Sequence, residues 1–313
     1  MIFSVGHAWA TDWDPTKKTI EIIVPYAPGG GSDRTARLIG DIFSEHGWKN
    51  IVINKPGNSS IIGTNQAAKA KPDGYTLFMG GDGTMDANLV FKNGLEGIEY
   101  NEHSFAPIIP MGQNAFVLIA PVNSPVNSYE EFRTYVRRNP NKFNLGFWNI
   151  QEANAFLVWA RLDGLPRPTI INYKGSAPAR VDILGGNLDF AIDSVPTTAQ
   201  LYQTGRLKIL AAFTDEGLLE MKAVDSSIQI PSLAWKYPEL NVHIWRGLYA
   251  PAGTDPAVIK EINRVVNQGL KLKQFIERVA PGDRYGMGGT PEQLHKIQSG
   301  ILNRYRNMSK YLE

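Results

Sequence analysis

Thr19-Ile-Glu-Ile-Ile-Val24 followed by Pro25-Tyr-Ala-Pro-Gly-Gly-Gly-Ser-Asp33 is the stretch from which the architecture is read. Its first six residues form a β-branched run of strand length. Behind Ser32 or Asp33 as the expected N-cap, Ala36, Ile39, Ile42 and Phe43 recur at helical spacing. Strand, glycine-rich turn and helix open a βαβ unit. Outward from it, residues 51–53 read as a strand, 61–70 as a helix, 72–74 as a turn and 75–79 as a strand. That alternation predicts an α/β sheet.

Residues 116–120 read as a strand leading into a new segment. Ser128 caps a helix through 138, with Glu130 and Glu131 in its first turn, where the helix dipole favours carboxylates. Strands at 143–147, 169–171, 188–192 and 207–213 then alternate with helices at 153–162, 177–184 and after Pro196. This is a second complete α/β set. Residues 242–250 are strand-like again, and Asp255-Pro256 and Thr290-Pro291-Glu-Gln293 open two amphipathic helices. Those closing helices are expected to return to the first set. The expected division is a tail over 1–17, one domain of 18–120 plus 246–313, and a second of 121–245. Two chain crossings near 120 and 245 would make a hinge.

The 313 residues fit about two domains. Lys+Arg 32 against Asp+Glu 30 leaves +2, with no basic run, so binding of nucleic acid through a basic surface is not expected. No uninterrupted apolar stretch reaches the roughly 18 residues of a membrane-spanning helix. Cysteine is absent, which excludes thiol nucleophiles, zinc-thiolate sites, iron–sulfur clusters and disulfides. Ala8-Trp9-Ala10 resembles a signal-peptidase site, so residues 1–10 read either as the remnant of an export signal or as an ordinary frayed end.

Two loops carry the chemistry. Pro28, Gly29, Gly30, Gly31, Ser32 and Asp33 lead into a helix, where glycines allow close backbone approach and the helix N-terminus offers free N–H groups to an anion. No lysine follows the glycines as triphosphate binding would require, and the Gly-x-Gly-x-x-Gly pattern fails at Arg34. Lys174, Gly175, Ser176, Ala177, Pro178 and Ala179 form a second strand-to-helix loop of the same kind. Two such cradles, one per domain, would hold a carboxylate across a cleft without a cationic or catalytic side chain. Each also reads as a plain tight turn, with Ser176 as an N-cap. Catalytic constellations are poor: the five histidines show no His-x-x-x-His spacing, and Gly-x-Ser-x-Gly is absent. Asp82, Asp86 and Asp193 read as caps or turn residues before general acids, and Trp148 and Trp245 as core before ligand platforms.

The stretch 23–37 resembles the opening signature of the Bug/TctC proteins, the extracytoplasmic solute receptors of tripartite tricarboxylate transporters. Asn54-Lys-Pro-Gly57, Pro72-Asp-Gly-Tyr-Thr-Leu77, Asn172-Tyr-Lys-Gly175, Leu184-Gly-Gly-Asn-Leu-Asp189 and Trp245-Arg-Gly-Leu-Tyr-Ala-Pro251 continue it in order. The resemblance implies a two-domain periplasmic binding protein of type II (Venus flytrap) fold, not an enzyme. It implies a monomer without cofactor or metal that works with a membrane permease of a tripartite tricarboxylate transporter. It places a ligand carboxylate between the loops of Pro28–Asp33 and Gly175–Ala179. Asp82 and Thr84, then Trp148, Asn149 and Asn154, then Asp193 become pocket candidates for the rest of the ligand. Trp148 and Asn149 are bulkier than the family's usual residues, and Asn154 stands where the family has a histidine. An aromatic acid or small dicarboxylate is therefore expected rather than citrate. Asp193 is awkward for an anion and suits a ligand hydroxyl or ammonium. The competing reading is a two-domain hydrolase or transferase using the same cleft, which fold alone does not exclude.

Overall fold

The computed structural model describes residues 13–91, 95–241, 243–278 and 288–312. The export-signal reading of residues 1–10 lies outside them. In the first lobe, β1 (Ile20–Val24) pairs in parallel with β2 (Asn50–Asn54) and β3 (Thr76–Gly81). Four of the five β1 residues are buried, as a central strand covered on both faces requires. Helix α1 (Gly31–Glu45) connects β1 to β2 and buries Ala36, Ile39, Ile42 and Phe43, the stripe expected from their spacing. Helix α2 (Ile61–Ala68) connects β2 to β3. A π-helical turn, Gly83–Ala87, and α3 (Asn88–Val90) follow β3.

Strand β4 (Phe105–Pro121) joins the lobes. The sequence reading caught its second half alone, because Pro107 and Pro110 argue against a strand. The structure accommodates them with register irregularities at Pro107/Ile109 and Pro110/Gly112. Residues Phe105–Ala115 of β4 pair with β9 (His243–Pro251), whereas Phe116–Pro121 pair with β7 (Phe190–Ser194) and β8 (Leu207–Ala212). The change of partner falls at Ala115/Phe116, a few residues before the expected crossing near 120.

The second lobe adds β5 (Asn144–Phe147) and β6 (Thr169–Asn172), giving the order β8-β4-β7-β5-β6 against β2-β1-β3-β9-β4 in the first. Its helices are α4 (Tyr129–Arg138), α5 (Ile150–Asp163), α6 (Ser176–Gly185), α7 (Val195–Gln203) and α8 (Asp215–Val224). The chain returns through β9 to α9 (Pro256–Gly269), α10 (Lys273–Ile276) and α11 (Pro291–Ser309). Ser128, Asp255 and Thr290 cap α4, α9 and α11 through their side chains, as read from sequence.

Two expectations are corrected. The N-cap of α1 is Gly30, not Ser32 or Asp33, and that of α6 is Gly175, not Ser176. In both, the backbone turns into the helix at a glycine, so the serine becomes a helical residue. The closing helices return to the first lobe and also touch the second: Arg161 donates to the Tyr311 carbonyl at 2.7 Å, and Arg304 to that of Asn241 at 2.9 Å.

Candidate functional site

The N-termini of α1 and α6 meet at the junction of the lobes. The Ala27 amide donates to the Lys174 carbonyl at 2.9 Å, and Asn172 Nδ2 to Ser59 Oγ at 3.1 Å. A Cβ on Gly30 would stand 3.4 Å from Ser176 Oγ, so the two cradles abut. Below them lies a cleft of about 100 Å³, measured at the radius of a water molecule. The first lobe contributes Gly30, Gly31, Ser32, Arg34, Thr35, Asp82, Trp245 and Arg246 to its walls, and the second Trp148, Asn149, Ser176, Asp193, Ser194 and Thr197.

Of the candidates, Gly30, Gly31, Ser32, Asp82, Trp148, Asn149, Ser176 and Asp193 therefore come together as a single lining. The other candidates do not line it. Asp33 supports the first loop from behind: its carboxylate accepts from the Gly29 amide at 2.9 Å, Arg37 at 3.1 Å and Asn54 at 3.0 Å. Burial pushes its pKa up, yet these donors hold it below the usual carboxylate value. Thr84 is spent on the β3 turn, accepting from the Gly81 amide at 3.0 Å. Asn154 folds back on its own helix, donating to the Ile150 carbonyl at 2.9 Å. Pro28 and Gly29 are exposed, and Ala177 faces Gly29 across the loop contact, 3.7 Å from where a Cβ would be. Lys174 lines a neighbouring crevice with Ser59, Ser60 and Asn172. Gly175, Pro178 and Ala179 shape the turn and the start of α6.

Sequence reasoning missed the cationic wall. Arg246, in the otherwise largely apolar strand β9, donates through Nε to Thr35 Oγ1 at 3.1 Å, and its Nη1 would be 3.5 Å from a Cβ on Gly31. Its guanidinium thus stands beside the first turn of α1, where N–H groups lack helical partners. A carboxylate placed there would meet helix dipole, amides and a fixed cation together. A cationic side chain therefore stands beside the cradle, which the sequence reading did not include. The signal was legible in principle, since an arginine inside a buried strand demands an explanation.

The cleft and its floor also hold buried acids. Asp82 follows β3 and accepts from Tyr305 at 2.9 Å; burial raises its pKa to about 7. Burial also pushes Asp86 and Glu152 well above the carboxylate range, with the Asp82 charge adding to both. Glu152 has a structural duty as well, accepting from the Asn149 amide at 2.7 Å and so fixing the start of α5. That pairing begins the helix at Ile150 instead of the expected 153. Asp193 is likewise shifted up by burial, against the nearby charges of Arg180 and Arg34.

Two α/β lobes joined by crossing strands, with helix N-termini facing each other over a shared cleft, define a two-domain periplasmic binding protein fold. The chain belongs to the tripartite tricarboxylate transporter family receptors, TctC, whose family profile matches residues 36–312. It is similar to the protein BugT of Bordetella pertussis, at 29% identity over 293 residues, 92% of this chain and 87% of that protein. It is similar in structure to the periplasmic binding protein BugD, with TM-score 0.80 and 27% identity over 93% of this chain and 96% of that one. A solved R. palustris protein with adipate matches with TM-score 0.79 and 25% identity, over 94% and 96% of the two chains. Among the described residues no helix is long and apolar enough to cross a membrane.

Proposed function

We propose that this protein captures a small carboxylate between its lobes, without covalent chemistry, as a receptor exported to the periplasm. It would hand the ligand, as a monomer, to the membrane permease of a tripartite tricarboxylate transporter. One observation carries the reading: the N-termini of α1 and α6 face the same cleft from opposite lobes, with Arg246 beside the first. Such a site stabilises an anion only when the lobes are together, so ligand shifts the population toward closure. Closure would turn on β4 near 115–120 and on the chain entering β9 near 245, the crossings that divide it into 18–120 plus 246–313 and 121–245.

The small cleft, with Trp148 and Trp245 in its walls, favours a dicarboxylate or an aromatic acid over citrate. The adipate held by the R. palustris relative agrees with a dicarboxylate. A thermal-shift screen of mono-, di-, tricarboxylic and aromatic acids tests the proposal. A ligand at 100 times its Kd adds about 2.7 kcal/mol of stability, a clear rise in Tm. Stabilisation by a carboxylate that is recovered unchanged supports a receptor. Turnover of that carboxylate would instead support the hydrolase or transferase reading.

A further inference from the structure

Asp193 closes β7 and forms part of the cleft wall, yet is only 1% exposed. Its two oxygens differ. Oδ1 is committed, accepting from the Ser194 amide at 2.7 Å and the Thr197 hydroxyl at 2.7 Å. Both partners belong to the turn from β7 into α7, so the carboxyl plane is fixed by its own backbone. Oδ2 has no hydrogen-bond partner and is sealed from solvent. A buried acceptor without a donor is costly, and a native cleft that retains one is incomplete until something supplies the donor. Ser194 and Thr197 also line the cleft, but their hydroxyls stand 2.9 Å apart and are engaged with one another.

We propose that the ligand carries, besides the carboxylate held at the α1 cradle, a hydrogen-bond donor that Asp193 Oδ2 receives. The ligand is thus a hydroxy- or aminocarboxylate rather than the unsubstituted parent acid. This rests on the carboxylate-receptor reading and narrows it. The two lobes then recognise opposite chemistries: the α1 turn and Arg246 take the anionic group, and the end of β7 takes the donor. A parent acid would fill the same space and leave Oδ2 unpaired, a penalty that discriminates better than a missing apolar contact. Burial raises the Asp193 carboxyl pKa, and the charges of Arg180 and Arg34 nearby work against that rise.

Isothermal titration of the wild-type protein at neutral pH with matched sets tests this: succinate, malate and aspartate; glutarate, 2-hydroxyglutarate and glutamate; benzoate and 4-hydroxybenzoate. The same titrations follow with Asp193→Asn, whose amide oxygen can keep the Ser194 and Thr197 bonds while presenting N–H where Oδ2 was. In at least one set, the wild type is expected to bind a donor-bearing member at least about tenfold tighter than its parent. Malate against aspartate tells hydroxyl from ammonium. Asp193→Asn is expected to abolish or reverse that preference. Binding of parent acids as tightly as their substituted forms, or a preference that survives in Asp193→Asn, overturns the inference and leaves the receptor reading standing. The wild-type arm decides even where the variant does not fold. Failure of every carboxylate to bind the wild type overturns the receptor reading and this inference with it.

Discussion

The Ala27 amide and the Lys174 carbonyl are 2.9 Å apart, so a backbone hydrogen bond joins the two glycine-rich loops across the cleft. Ser59 and Asn172 repeat the link at 3.1 Å. Neither bond involves a charged side chain, and both break when the lobes part. Under the proposed function they would contribute to the free energy of closure on which a ligand acts, because a ligand shifts an equilibrium only by its differential affinity for the two states.

Gly175 lies at the centre of this contact. Its φ is +153°, and a Cβ there would stand 3.4 Å from the Ala27 amide nitrogen. Gly175→Ala therefore strains the turn and presses on the opposite loop at once. A strained backbone position costs about 1–3 kcal/mol. Titration with the best carboxylate is expected to show affinity reduced by about tenfold or more, with a smaller change in Tm. Unchanged affinity would mean that the loop contact is irrelevant to capture.

Trp148 is 8% exposed and walls the cleft from the second lobe. A buried aromatic contact in a binding site is typically worth about 2 kcal/mol or more, roughly thirtyfold. Trp148→Ala is expected to lose at least that factor in affinity, and Trp148→Phe to recover most of it. Trp235, 67% exposed and outside the cleft, supplies the control, since Trp235→Ala should leave binding as it was. Equal effects at both positions would contradict the placement of the ligand.

Asp82 makes stability depend on pH in an unusual direction. Its folded pKa of about 7 lies above the ordinary 3.8, so between those values the folded chain holds a proton that the unfolded chain has lost. Stability contributed by this group is full below about pH 4 and falls as pH rises through 7. The raised carboxyls of Asp86, Glu152 and Asp193 act in the same sense. The rise from 3.8 to about 7 sets a ceiling of about 4 kcal/mol for Asp82 alone. Thermal unfolding from pH 5 to pH 8 should show Tm falling in the wild type and a shallower fall in Asp82→Asn, whose amide oxygen still accepts from Tyr305. Parallel slopes would refute the assignment.

Asp163 tests the second lobe away from the cleft. It is 8% exposed and accepts from Arg133 at 2.7 Å, Lys236 at 3.0 Å and Tyr237 at 2.5 Å. Burial raises its pKa, but these donors bring it below the ordinary value. Removing one partner of a buried pair costs about 3–5 kcal/mol. Asp163→Ala is expected to lower Tm by several degrees through loosening of α4 and α5. The ligand affinity of protein that remains folded should be unchanged.

The sequence was most legible where one local rule decides. Alternating β-branched runs and capped amphipathic stripes located most of the elements, and the glycine-rich loops marked both cradles. Other features needed tertiary information. Pro107 and Pro110 hid half of β4, because the partner strand that tolerates them through irregular register is far away in sequence. Helix α8 was overlooked although Thr214, Asp215 and Glu216 form an N-terminal signature, with the Thr214 hydroxyl accepting from the Gly217 amide at 3.0 Å. The position of Asn154 in a motif points to the pocket, whereas a side chain's direction around a helix decides what it reaches, here the Ile150 carbonyl. Arg246 entered the cleft through a strand read simply as strand-like, since its place beside α1 depends on Thr35, 211 residues away.

The most direct test is isothermal titration of the wild-type protein with the carboxylate panel, followed by proton NMR of the recovered ligand. The account predicts that one small hydroxy- or aminocarboxylate binds at one per chain and is recovered chemically intact. Saturable binding of a neutral or cationic solute with no response to any carboxylate, or conversion of the bound acid to a product, would contradict it.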